Sequence, residues 1–251
     1  MNTQATHQIV SRSEWLAARK ELLTEEKRLT RQMDAINARR RALPWVKIQK
    51  DYQFNSRKGR VPLAALFGGN SQLVIQHFML GAGWGEGCKS CSFMADHTDG
   101  MLPHLAARDV TMLAVSSAPL AEIEAFKQRL AWRFDWVSSE GSSFNRDFHV
   151  SFTEDEIATG KINYNYTNQD FPKTEAPGIS VFYRDAEGNV FHTYSVYGRG
   201  VELMMHTYRI LDLTPNGRNE DGLDWPQQWV RHHDRYDAAA KDASQVQEAT
   251  A

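Results

Sequence analysis

A chain of 251 residues with a net charge of −2 is long enough for one large domain or two small ones, and carries no bias toward nucleic acid or anionic membrane. Its 41% hydrophobic and 11% aromatic content suits a globular protein rather than a disordered one. Apolar runs such as "LVIQHFMLGAGW" fall far short of the roughly 20 residues of a membrane span, and the opening "MNTQATHQIVSRSEW" lacks a basic segment followed by an apolar one. The expected address is the cytoplasm, where thiols stay reduced.

In chain order, Ser11 with Glu14 three residues on signals a helix start. Leu16, Leu22, Leu23, Leu29, Met33 and Ile36 then recur at helical spacing, and Pro44 ends the pattern. The apolar stripe is expected to pack on its own domain or on a second copy, as a homodimer. Residues 11–50 hold eleven basic and five acidic side chains. Because the two signs interleave, they read as a solvated helix face before a nucleic-acid arm.

"WVKIQKDYQF" alternates like a strand, "NSRKGR" supplies a turn and "VPLAALFGG" a connector. "SQLVIQHFML" and "DVTMLAVSS" are continuous apolar runs that suit buried strands. Between them "CSFMADHTDGMLPHLAAR" predicts a helix kinked or broken by Gly100 and Pro103. "APLAEIEAFKQRLAW" predicts a helix with Pro119 near its first turn. "FDWVSSEGSSFNRDFHVSFT" starts as a strand and continues as loop, and "EAPGISVFYRDAEGNVFHTYSVYG" is the clearest hairpin. "RGVELMMHTYRILDL" predicts a further helix, followed by an irregular tail whose last dozen residues are expected to be disordered. That order predicts an α/β sheet that starts parallel and ends antiparallel, with helices on both faces.

Both cysteines of the chain lie in "WGEGCKSCSF". Cys88 follows a buried strand and opens a helix, the edge where reactive groups collect in open α/β sheets. Unpaired N–H groups there favour a thiolate, as does Lys89, while Glu86 opposes it. Cys91 sits one helical turn on, where it faces Cys88 and can resolve a mixed disulfide. Two other readings stay open: half of a zinc site, and two small buried hydrophobes. Zinc wants four ligands, and the adjacent His232 and His233 lack the usual spacing of a second pair. "GAGWGEG" fails the dinucleotide pattern because Glu86 stands at its last glycine, and no hydrolase elbow or zincin motif occurs.

Several other residues have two readings each. His77 reads as a satisfied core histidine or a proton relay. Asp96, beside His97, reads as a cap or surface group, or as a base for the resolving thiol. His232, His233 and Asp234 could close over the active edge, or belong to a surface tail packed through Trp225, Trp229 and Tyr236. "FNRDF" reads as packing. Pro177 opens a strand, a place where proline's missing donor costs nothing.

Strand, C-x-x-C at a helix start, helix, and later a proline before a hairpin: this order resembles the thioredoxin fold, with a front half similar to peroxiredoxins. More closely, "GCKSCSFMAD", "LPHLAARDVTMLAVSSAPL", "WVSSEGSSFNRDFHVSFT", "PGISVFYRD", "VFHTYSVYGRG" and "WVRHHDRY" resemble the bacterial thioredoxin-like family called domain of unknown function 899. The resemblance implies a three-layer sandwich with a mixed central sheet over residues 45–215, a helical extension over 1–44 and a packed tail over 216–251. It implies Cys88 as nucleophile, Cys91 as resolving thiol and a cis Pro177 facing them, with Trp84, Lys89 and Pro177 in a substrate groove. Departures are Gly87 where thioredoxins carry tryptophan, and Gly81 and Gly85 where a peroxiredoxin carries proline and threonine.

The function expected is thiol–disulfide oxidoreduction without cofactor or metal, on a disulfide-bearing protein or small thiol, with a reductant protein as partner and no role for nucleic acid or membrane. The alternatives are a thiol peroxidase using Cys88 and a non-enzymatic redox-sensing interaction module.

Overall fold

The computed structural model describes residues 7–236, so the expectation of disorder at the C-terminal end falls outside the described residues. The chain divides into two compact units, Met1–Trp45 and Val46–Ala251.

The first unit is one helix, α1 (Arg12–Arg41). Ser11 caps it: the Glu14 N–H donates to Ser11 Oγ at 3.3 Å, and the Ser11 N–H donates to Glu14 Oε2 at 2.9 Å. Arg39, Arg40 and Arg41 crowd the last turn, where the helix dipole favours cations. No residue of α1 is buried; Trp15, Leu22, Leu29 and Ile36 are all exposed.

The second unit is built on a sheet of eight strands: β1 (Val46–Lys47), β2 (Gln53–Ser56), β3 (Gly59–Pro62), β4 (Gln72–His77), β5 (Val110–Ser116), β6 (Trp136–Ser138), β9 (Gly178–Arg184) and β10 (Val190–Tyr197). Their order is β1-β10-β9-β4-β5-β6-β2-β3. β4, β5 and β6 run parallel, and the flanking pairs are antiparallel. β4 therefore lies at the centre with both faces covered, which suits the apolar run Leu73–Val74–Ile75 at its middle. Alternation sends Leu73 and Ile75 to one face, against Phe67, Phe144 and Phe182. Val74 goes to the other, with Met94, Val201 and Met205. Each fully buried phenylalanine or leucine contributes about 1.5–3 kcal/mol.

The helices of this unit are α2 (Lys89–Ala95), α3 (Thr98–Ala106), α4 (Leu120–Arg129), α5 (Phe144–Asp147), α6 (Glu154–Ala158) and α7 (His206–Leu211). The strand–helix–strand unit β4-α2-β5, followed by the β9-β10 hairpin and α7, is a thioredoxin-like arrangement of mixed sheet and flanking helices. Two predicted boundaries shift. The break after the cysteines falls at Asp96–His97, while Gly100 and Pro103 lie inside α3. At that break the Asp96 carboxylate accepts from Trp132 Nε1 (2.8 Å) and meets His233 Nδ1 (2.6 Å). The predicted helix at "RGVELMMHTYRILDL" is a 3₁₀ helix (Gly198–Met204) and then α7. Reading the aromatic stretch as loop missed α5, and the segment after it was given no element, although it holds α6 and a hairpin of β7 (Ile162–Tyr164) with β8 (Thr167–Gln169).

His77 is a core residue. Its Nε2 meets Ser180 Oγ at 2.8 Å, Ser180 meets Ser195 at 2.8 Å, and Ser195 meets His192 Nε2 at 2.7 Å. Burial pushes His77 down to about 3, so it stays neutral beside the rings of Phe144 and Phe148. The register of β10 on β9 slips between His192 and Tyr194, leaving Thr193 as a bulge.

Candidate active site

The cysteine loop starts where β4 runs out at His77. Gly83 (φ 74°) and Gly85 (φ 71°) take backbone conformations that side chains resist, and they turn the chain back toward the sheet edge. The Cys88 N–H donates to Met79 O at 3.0 Å, and Cys88 becomes the N-cap of α2. The Ser92 N–H and hydroxyl both donate to Cys88 O at 2.9 Å, and Gln76 Nε2 donates to Cys91 O at 3.1 Å. Cys88 is half-buried, and Cys91 is buried.

The two sulfurs ionise in opposite directions. The Cys91 thiol, the backbone N–H groups of Cys91 and Ser90 and the Ser90 hydroxyl all donate to the Cys88 sulfur. The Cys91 bond is the largest of these effects, and together they outweigh burial and bring Cys88 down to about 6. Cys91 moves up, because it donates that bond, lies buried and faces the Cys88 charge. The pair therefore favours the anion on Cys88 and the proton on Cys91. Glu86, expected to oppose the thiolate, spends its charge on Arg129 (2.7 Å) and Arg235 (3.0 Å).

Both cysteines and Pro177 line one cavity of about 400 Å³, walled by Met79, Met94, Tyr164 and Met205. At its far rim the charges are paired within the protein: Arg218 holds Asp212 (2.8 Å) and Glu202 (3.1 Å), and Glu220 accepts from Tyr208 and Trp229. Two of the expected groove residues sit elsewhere. Lys89 is exposed and outside the cavity. Trp84 lies over Gly81, where a Cβ would come within 2.8 Å of its ring, and packs on the cluster that contains Cys91.

The cis Pro177 implied by resemblance is corrected: no cis peptide occurs among the described residues, and Ala176–Pro177 keeps the trans preference of X–Pro bonds, about 0.5–1 kcal/mol. Tyr164 donates its hydroxyl hydrogen to Pro177 O at 2.7 Å and accepts from the Gly198 N–H at 2.9 Å, fixing the cavity wall.

Two features here are not foreseen from the sequence. Tyr164 came from the unread β7–β8 hairpin, although alternation in "INYNYTNQ" could have shown it. Glu175, two residues before Pro177, is buried and accepts from Ser117 (2.7 Å), Ser151 (2.9 and 2.8 Å) and Asn145 (3.5 Å). Burial outweighs those bonds and pushes it up to about 7. Of the two readings of the tail, closure over the active edge fits His232, which is 2% exposed with Nε2 2.9 Å from Gly87 O. His233 instead binds Asp96, whose carboxylate is thereby engaged with Trp132 and His233. Among the described residues, no group of three or more His, Cys, Asp or Glu could hold a metal ion, and no helix is long and apolar enough to cross a membrane.

Comparison with solved structures finds distant likenesses. Peroxidoxin BcpB from Mycobacterium tuberculosis is 12% identical (TM-score 0.43, covering 67% of this chain and 97% of that one). Peroxiredoxin Q from Xanthomonas campestris is 14% identical (TM-score 0.45, 69% and 98%). A Chlorobium tepidum protein assigned as thiol:disulfide interchange protein DsbE is also 14% identical (TM-score 0.39, 66% and 97%). No curated protein matches the chain significantly. The model of a bacterial protein family of unknown function, DUF899, matches residues 4–236, and the chain belongs to that family.

Proposed function

We propose that the protein is a cytoplasmic dithiol–disulfide oxidoreductase in which Cys88 is the nucleophile and Cys91 resolves. The observation that carries this reading is that two cysteines, at the N-cap of α2 and one turn on, line one cavity, and their surroundings favour the anion on Cys88 and the proton on Cys91. The Cys88 thiolate attacks one sulfur of a substrate disulfide. That S–S bond breaks, one substrate thiolate leaves, and a Cys88–substrate mixed disulfide forms. Cys91 then gives up its proton and attacks the Cys88 sulfur, forming the Cys88–Cys91 bond and releasing the second substrate thiolate. The substrate gains two electrons, and the protein is left oxidised until a reductant dithiol protein restores it. Pro177 and the methionine walls hold the group attached to the attacked sulfur. Residues 45–215 form the catalytic domain, the tail over 216–236 packs on it, and α1 is the extension through which two copies pair.

A glutathione redox titration followed by mass spectrometry tests this. Loss of two mass units with one midpoint, in a bridge between Cys88 and Cys91, is expected. Two independently glutathionylated cysteines would refute it. Turnover with peroxide and none with disulfides would assign the same thiolate to peroxide reduction instead.

A further inference from the structure

The motif "WVRHHDRY" holds a histidine that the thiol chemistry does not use. His232 bridges two groups of fixed polarity, Arg129 Nη2 at 3.0 Å from Nδ1 and the Gly87 carbonyl at 2.9 Å from Nε2. A guanidinium only donates, so Nδ1 accepts. A carbonyl only accepts, so Nε2 carries the hydrogen. The ring is thereby the neutral Nε2–H tautomer with both nitrogens occupied. The charged groups around it are Arg129, Glu86, Asp234 and Arg235. Arg129 is itself anchored by Glu86 (2.7 Å) and Asp234 (2.9 Å), and Phe126 packs edge-on at 5.2 Å.

This contact falls one bond from the nucleophile. The peptide joining Gly87 to Cys88 is gripped at both polar ends: its C=O by His232, its N–H by Met79 O at 3.0 Å. Gly87 is wedged as well, since a Cβ there would lie 2.5 Å from the Phe78 ring and 2.8 Å from Phe126. With that plane held, and α2 holding the residue from its other side, the sulfur is placed against the N–H groups of Ser90 and Cys91 by the Cys88 φ and χ1 rotations.

We propose that His232 is a positioning residue of the dithiol centre, reaching across 145 residues of sequence to orient the Gly87–Cys88 peptide and with it the Cys88 sulfur. The proposal rests on the dithiol reading above and adds the tail to it. Without the imidazole, the carbonyl loses its donor, the plane rocks, and the sulfur meets its own donors less well. A lower thiolate population follows even though every group that touches the sulfur is still present.

The test is the rate of iodoacetamide alkylation against pH for the wild type and for His232→Gln, His232→Asn and His232→Leu, each checked for its melting transition. Glutamine offers one acceptor and one donor at similar reach; asparagine is a methylene too short. We expect Asn and Leu to raise the Cys88 midpoint by about one unit, a tenfold loss of thiolate at mildly acidic pH, and Gln to recover most of it. A folded Asn or Leu variant with the wild-type midpoint overturns the proposal. Nitrogen-15 NMR of the wild-type histidines adds a readout that needs no variant: the Nε2–H tautomer supports the contact, and an Nδ1–H ring or imidazolium at pH 7 overturns it. If wild-type Cys88 titrates as an ordinary thiol and never bridges to Cys91, the dithiol reading itself has failed. If it titrates low but is indifferent to His232, only the positioning role has.

Discussion

The cavity cysteines and the Glu175 site are joined through Pro177, which lines the cavity and follows Glu175 by two residues, and each site holds a buried or half-buried acid. Their acids respond in opposite directions. Cys88 accepts from a thiol, two backbone N–H groups and a hydroxyl, and falls to about 6. Glu175 accepts from two serine hydroxyls and one long amide contact, and rises to about 7. Burial penalises both anions. What separates them is the donors: the Cys91 thiol, the largest single effect, backed by two backbone N–H groups at a helix start, against serine hydroxyls and one long amide contact. Low exposure alone therefore says little about which acid will be charged.

The comparison can be broken most severely at the sulfur. Cys88→Ser should abolish disulfide reduction, while Cys91→Ser should stall it at a mixed disulfide whose added mass is read directly from the intact protein. Full turnover in either variant would remove the dithiol from the mechanism.

The next largest effect lies on the carboxyl side. Glu175 has a folded value of about 7 against an ordinary 4.5, so the folded state holds its proton where the unfolded chain has lost it. The stability tied to this group is complete below about pH 4.5 and falls away as pH rises to about 7, by roughly 3 kcal/mol. Glu175→Gln should remove that slope in urea unfolding measured between pH 4.5 and 8. An unchanged slope would place the titration elsewhere.

Smaller shifts sharpen the role of donors. Cys91→Ala removes the largest single donor to the Cys88 thiolate, and its alkylation midpoint should move above about 6 by roughly one unit. Ser151→Ala takes one hydroxyl from Glu175 and should carry that group above about 7 by less than a unit, seen as a displaced infrared carboxylate band. A fall in either case would contradict the balance of burial and donors described for that site.

Local chemistry made much of the fold legible. The Ser11–Glu14 box, the turn of the β9–β10 hairpin and the C-x-x-C spacing are all readable within a few residues, because the interactions that define them span a turn or less. The same holds for the central strand, whose apolar run announces cover on both faces. What could not be read depends on partners far along the chain. Ser117 and Glu175 are 58 residues apart, and nothing in "TEAPG" marks its glutamate as buried. The α2–α3 break falls at Asp96–His97, where Trp132 and His233 meet the Asp96 carboxylate from far along the chain, and the local breakers Gly100 and Pro103 are accommodated inside α3. His232 was visible as a residue, but its grip on the cysteine loop required knowing that the tail folds back.

The bulge at Thr193 has a consequence for counting along β10. His192 and Ser195 are an odd number of positions apart, so an unbroken strand would display them on opposite sides. The extra residue, held to β9 by its hydroxyl on Val181 O at 3.1 Å, changes the parity of everything beyond it and lets the two side chains meet. Excising that one threonine would leave composition and length almost untouched, yet it would rotate Ser195 out of line and cut the polar thread from His192 to His77 at its middle link.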